Sequence, residues 1–137
     1  MKNISILLLS MFVSYVTFSQ SPIGRWKKIS HVSDYQGQTF DSHEALLKSR
    51  PCAAAIVWEI NADGTFRLNA SASDCDDSYK NVQQKLYSKT RWKLENGVFT
   101  TSATNFAVGQ SYKVSFNGNK MIMTGTEGQG IITYLKL

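Results

Sequence analysis

Residues 52–75 read CAAAIVWEINADGTFRLNASASDC, and the fold turns on how this stretch pairs with itself. Ile56, Trp58 and Ile60 alternate with Val57 and Glu59, and Phe66, Leu68 and Ala70 alternate with Arg67 and Asn69. That period of two marks strands with one buried face. Between them, Asn61-Ala62-Asp63-Gly64-Thr65 suits a type I turn closed by a bulge, with Gly64 taking the positive φ such a turn needs. This loop sets Ile60 opposite Phe66, Trp58 opposite Leu68 and Ile56 opposite Ala70. A shorter Asp63-Gly64 loop would set Trp58 opposite Asn69 and split the apolar face, because a one-residue slip moves every side chain across the sheet. The favoured register leaves Cys52 one residue out of step with Cys75. It predicts a disulfide between them just beyond the regular ladder.

The first residues have a different character. Lys2 supplies a positive start, Ile4 to Phe18 an apolar run, and Thr17-Phe18-Ser19 small residues before Gln20. This pattern predicts an export signal at residues 1–19, cleaved after Ser19, and one exported domain over 20–137, periplasmic or secreted. The run is short for a membrane span, and no second apolar segment follows. Two cysteines in an exported chain allow a single pairing, which would stabilise the fold by roughly 3 kcal/mol. A catalytic thiol would need a positioned histidine, and the sequence offers only His31 and His43. The formal net charge of +5 is spread along the chain apart from Arg25, Lys27 and Lys28. Without a clustered stripe and interleaved stacking aromatics, these charges read as a solvated basic surface and nucleic-acid binding is excluded.

Residues 24–32 read as the first strand, and the pattern breaks from Ser33 to Pro51. There Asp41 and Glu44 suit a capping box, Ala45 to Lys48 complete one or two helical turns, and Arg50-Pro51 ends them. Asp76-Asp77-Ser78 reads as a solvated acidic corner, since Asp74, Asp76 and Asp77 lack the spacing and terminal glutamate of a calcium loop. Tyr79 to Gln84 fits helix or strand. The Asn96-Gly97 turn sets Leu94 opposite Phe99 and Trp92 opposite Thr101. The Gly118-Asn119 turn sets Phe116 opposite Met121, Val114 opposite Met123 and Tyr112 opposite Gly125. The strand candidates are therefore 24–32, 55–60, 65–73, 83–95, 98–103, 110–117, 120–126 and 130–137. No helix is long enough for a crossover, so the class is all-β and antiparallel, a barrel or a sandwich.

Gly24-x-Trp26 opens the first strand soon after an export signal, a Cys–hairpin–Cys segment follows, and a tryptophan strand comes later at Trp92. This order resembles the short lipocalin-like proteins of bacteria. No Thr-Asp-Tyr-type motif precedes the seventh strand and no helix follows the eighth, so the resemblance is to the looser calycin-type barrel. It implies an eight-stranded antiparallel up-and-down barrel with one short helix in the first long loop. It also implies that Trp26, with Gly24, plugs the closed end beneath a basic side chain, either Lys136 or Arg91. The 33–51 loop would lie over the mouth as a lid or as a plain connector.

No nucleophile elbow, phosphate-cradling glycine loop or zinc-spaced His/Cys set occurs. Glu59 points to solvent without a second acid nearby. The expectation is no catalytic residue, no metal, no cofactor and no enzyme. Two readings remain. In the first, a small apolar or amphipathic ligand lies among Trp58, Phe66, Leu68, Trp92, Phe99, Tyr112, Phe116 and Met123. In the second, those residues fill the barrel, and an exported module meets a protein partner through its 33–51 loop and the Thr104–Gln110 connection, which carries Phe106. Cavity size discriminates, since ligand pockets usually run ~300–1,000 Å³.

Overall fold

The computed structural model describes residues 20–137, so the export signal expected at 1–19 lies outside the described residues. The chain forms β1 (Gly24–Tyr35), β2 (Gln38–Asp41), β3 (Val57–Ile60), β4 (Phe66–Asn69), β5 (Arg91–Glu95), β6 (Val98–Ser102), β7 (Gln110–Asn117), β8 (Lys120–Gly125) and β9 (Ile131–Lys136). Two α-helices, α1 (Ser42–Ser49) and α2 (Asp77–Leu86), fall between them. The strands run β4-β3-β1-β9-β8-β7-β6-β5, all antiparallel, with β2 folded onto the far end of β1. Between β4 and β5 a Thr65–Arg91 bridge nearly completes the ring, with Phe66 N donating to Thr90 O and Trp92 N to Gly64 O at 3.0 Å each. The result is a nearly closed antiparallel eight-strand barrel with β2 as a short extra strand.

The three hairpin registers agree with the sequence reading. Trp58 pairs Leu68 and Ile60 pairs Phe66, Leu94 pairs Phe99, and Val114 pairs Met123. Gly64 takes φ +87°, and Asn61 N donates to Thr65 O across the turn it closes. These tight turns gather at one end, and the long connections gather at the other.

Two segments differ from expectation. The strand proposed for 83–95 begins only at Arg91, because Asp77 to Leu86 is helical. Asp76, read as part of a solvated corner, caps α2 by accepting from Tyr79 N at 2.9 Å, and it pairs with Arg50 at 3.2 Å. Half-buried Tyr79, Gln83 and Tyr87 then recur every fourth residue along the inner face. Gln84 Oε1 accepts from Ala70 N, so the helix satisfies backbone that β4 leaves unpaired. The other difference lies in the 33–51 stretch. Strand β1 continues to Tyr35, and β2 returns through a turn at Gln36-Gly37. Neither face of this ribbon is apolar, so it has no period-two signal. The helix that follows stands where expected, with Asp41 Oδ1 accepting from His43 N and Glu44 N. The Glu44 carboxylate pairs with Lys48 rather than reaching back to the cap.

The closed end is built around Trp26. Its Nε1 donates to Pro22 O at 2.8 Å, and Lys136 Nζ stands 4.6 Å from its ring centre. Lys136 also donates to Ile23 O at 2.8 Å, while Arg91 donates instead to Asp63 O, which decides between the two basic candidates. Gly24 has φ +146°, and a Cβ there would collide with Lys136.

Cys52 and Cys75 form a disulfide with Cα atoms 5.2 Å apart. It lies beyond the β3–β4 ladder, joining the 3-10 turn Pro51–Ala55 to the segment entering α2. Replacing Cys52 with serine is expected to lower stability by roughly 2–5 kcal/mol in urea unfolding. An unchanged midpoint would show that the strands alone hold this end.

Candidate functional site

A bulge in β1 builds the interior site. Ladder partners run Trp26–Lys136 and Lys28–Tyr134, then shift so that Ser30 faces Thr133 and His31 faces Ile132. Ile29 is the extra residue and points outward, 41% exposed. An uninterrupted strand would put residues 28 and 31 on opposite faces. The bulge resets the alternation, so Lys28 and His31 both look into the barrel.

They meet a cavity of about 160 Å³. Of the side chains singled out from sequence, Trp58, Phe66, Phe99, Tyr112 and Met123 line it. Leu68 lines an adjoining cavity of about 130 Å³ beneath α1 and α2. Trp92 stands behind the first cavity, stacked on Phe99 at 5.5 Å and 12°, with Nε1 donating to Asn61 O at 2.8 Å. Phe116 lies at the closed end, in a recess with Trp26 and Lys136. The anticipated residues thus divide between one central cavity and its surroundings.

Sequence reasoning missed Lys28, His31, Tyr87 and Tyr134. Lys28 was counted with Arg25 and Lys27 as solvated surface, and the structure turns it inward. Its Nζ stands 4.6 Å from the Trp58 ring centre and 6.0 Å from that of Tyr134. No acidic side chain lines either cavity, and Lys28 takes part in no ion pair among the described residues. Tyr87, at the C-cap of α2, meets Trp58 edge-on at 4.8 Å. Its side chain lines both cavities and the polar recess at the mouth formed with Thr104, Val108 and Gln110. A sequence signal for Tyr87 did exist, namely its spacing of four and eight from Gln83 and Tyr79. Nothing in the sequence announced the bulge.

The electrostatics follow from burial. Desolvation pushes the Lys28 ammonium down to about 8. Burial, and next the Lys28 charge, hold the His43 imidazole below its ordinary range. Burial raises the Tyr134 phenol far above its usual range, and those of Tyr87 and Tyr112 rise for the same first reason. His31 Nε2 donates to Gln129 O at 2.7 Å, which fixes the ring against the loop before β9. The site is therefore an aromatic box with a single ammonium inside it. Among the described residues, no three His, Cys, Asp or Glu side chains gather as a metal ion would require.

No family model, curated protein or solved structure matches this chain. The site is accordingly argued from its own chemistry.

Because the folded state disfavours charged Lys28, the unfolded chain binds more protons between about pH 8 and the ordinary lysine value of 10.5. Stability contributed by this group therefore rises with pH across that window, and its cost is fully present below it. Lys28→Met is expected to stabilise the protein at pH 7 by roughly 1–3 kcal/mol and to flatten that rise relative to wild type. Paired urea titrations at pH 7 and 9.5 check this. Equal destabilisation of the variant at both values would contradict a buried, unpaired ammonium.

Proposed function

We propose that this protein is an exported, lipocalin-like binding protein that holds one small amphipathic ligand inside its barrel. The observation that carries the reading is the aromatic-walled cavity of about 160 Å³, open toward polar residues at the mouth. A cavity of about 150 Å³ is enough to take a benzene ring. The ligand is thus of about one ring's bulk, with room to extend into the adjoining cavity past Lys28, Trp58 and Tyr87. Fatty acids, retinoids and haem are too large for this interior as it stands. Apolar walls with a few placed polar groups are the usual composition of small-ligand sites. Export is supported by the residue 1–19 pattern and by the disulfide, which persists in oxidising compartments. No helix among the described residues is long and apolar enough to cross a membrane.

The second reading, an interaction module with a filled core, is favoured by one observation. Each interior cavity falls below the usual ~300 Å³ lower bound. Its partner surface would be the β1–β2 hairpin, where Tyr35 and Phe40 are exposed, and the connection carrying Val108.

Calorimetry with single-ring compounds against retinol and palmitate separates the two readings. Binding of the small set alone is expected. Met123→Trp, which fills the cavity at a cost of about 1–3 kcal/mol, is expected to remove that binding while the circular dichroism spectrum stays native. Failure of every single-ring compound to bind the wild type would favour the module reading.

A further inference from the structure

We propose that the ligand is a small organic acid whose carboxylate pairs with Lys28 Nζ while its apolar body lies against Phe66, Phe99 and Met123. This rests on the ligand-binding reading above and adds the charge and orientation of the ligand.

The strongest observation is an imbalance of charge. Both interior cavities contain the Lys28 amine and no carboxylate from the protein, although the chain carries ten acidic residues, one of them, Asp34, on the same strand as Lys28. A buried cation without an anion is costly, and a ligand carboxylate would relieve that cost. Here the ammonium rests on the Trp58 face at 4.6 Å, an attraction weaker than an ion pair in the same dry surroundings. The neighbouring groups agree in sign. Tyr87 and Tyr134 present hydroxyls that can donate to an anion, and neither these nor the imidazoles of His31 and His43 carry a negative charge at neutral pH.

Geometry chooses among anions. A phosphate group is held where several donors converge, as at a helix N-terminus or an arginine fork. Neither feature lines the cavity, and one ammonium with one or two hydroxyl donors matches a carboxylate. The long axis is set by topology. Lys28 on β1 lies across the ring of strands from Thr101 on β6 and Gln110 on β7, with Phe66, Phe99 and Met123 between. An acid with an aromatic or short branched body fits that arrangement, its head at β1 and its tail toward the mouth side of β6 and β7.

The test uses the full folded protein with phenylacetate and its neutral isostere phenylacetamide, followed by calorimetry. The proposal expects phenylacetate to bind at least about tenfold more tightly at pH 7.5. Lys28→Met should erase this preference, so that the two compounds bind the variant alike, with thermal unfolding confirming that the variant is folded. A second measurement needs no variant. Between pH 7.5 and 9.5 the acid stays ionised, the window lies above the ordinary imidazole range, and burial keeps the phenols of Tyr87, Tyr112 and Tyr134 protonated. Over that window phenylacetate affinity should fall roughly tenfold or more as Lys28 loses its proton, while phenylacetamide affinity stays flat. Equal, pH-independent binding of both compounds would overturn the acid proposal and leave the ligand-binding reading intact. Binding of inorganic phosphate as tight as that of phenylacetate would also overturn it, since the apolar walls would then contribute nothing. If neither of these two compounds binds while another single-ring compound does, the acid proposal falls and the ligand-binding reading stands.

Discussion

The antiparallel ladder between β1 and β9 is the constraint on which the rest of the structure depends. It joins the first and last strands of the described chain, turning a sheet with two open edges into a nearly closed ring. Pairing such distant residues costs loop-closure entropy that only the enclosed core can offset. The same ladder sets Lys136 over Trp26 at the closed end and Tyr134 beside Lys28 at the cavity. Its single irregularity, at Ile29, decides which side chains the interior receives. A ladder without that bulge would enclose Lys28 or His31, not both.

Much of this was legible in the residues. The Asn61–Thr65, Asn96-Gly97 and Gly118-Asn119 turns dictate their registers because backbone geometry at a few positions fixes every pairing beyond them. The disulfide followed from the first of those registers, and the short helix after Asp41 from its cap. What could not be read was governed by longer-range or weaker signals. Residues 77–86 bury no side chain fully, so their helical face carries tyrosine and glutamine rather than an apolar stripe. The β1–β2 ribbon carries Tyr35 and Phe40 among polar residues on one face and buries neither, so it shows no core-facing alternation. The Ile29 bulge is imposed by the fit of β1 on β9 and leaves no local mark. The bulge hides the inward turn of His31, whereas Lys28 shares the face of Trp26 two residues earlier and is misread only through the general rule that lysines lie on the surface.

That misplacement is informative about the site. A lysine with its ammonium in an aromatic box opposes folding, and the surrounding structure bears this cost: Trp58, Phe66 and Tyr134 are packed around it, and Phe99 is backed by stacked Trp92. Such local violations of the rules that stabilise a fold concentrate where chemistry is performed. Tyr87 shows a related arrangement. It meets Trp58 edge-on and Phe66 at 6.0 Å, its carbonyl accepts from Arg67, and it stands where both cavities meet the polar mouth.

The central claim is that Lys28, on the same face of β1 as buried Trp26, projects its ammonium into an aromatic interior. Observing the Lys28 Nζ and Cε resonances by heteronuclear NMR through a pH titration tests it directly. The account predicts a midpoint near 8, with the side-chain protons shifted upfield by the faces of Trp58 and Tyr134. A midpoint at the ordinary value of 10.5, with no ring-current shift, would place this lysine in water and contradict the account.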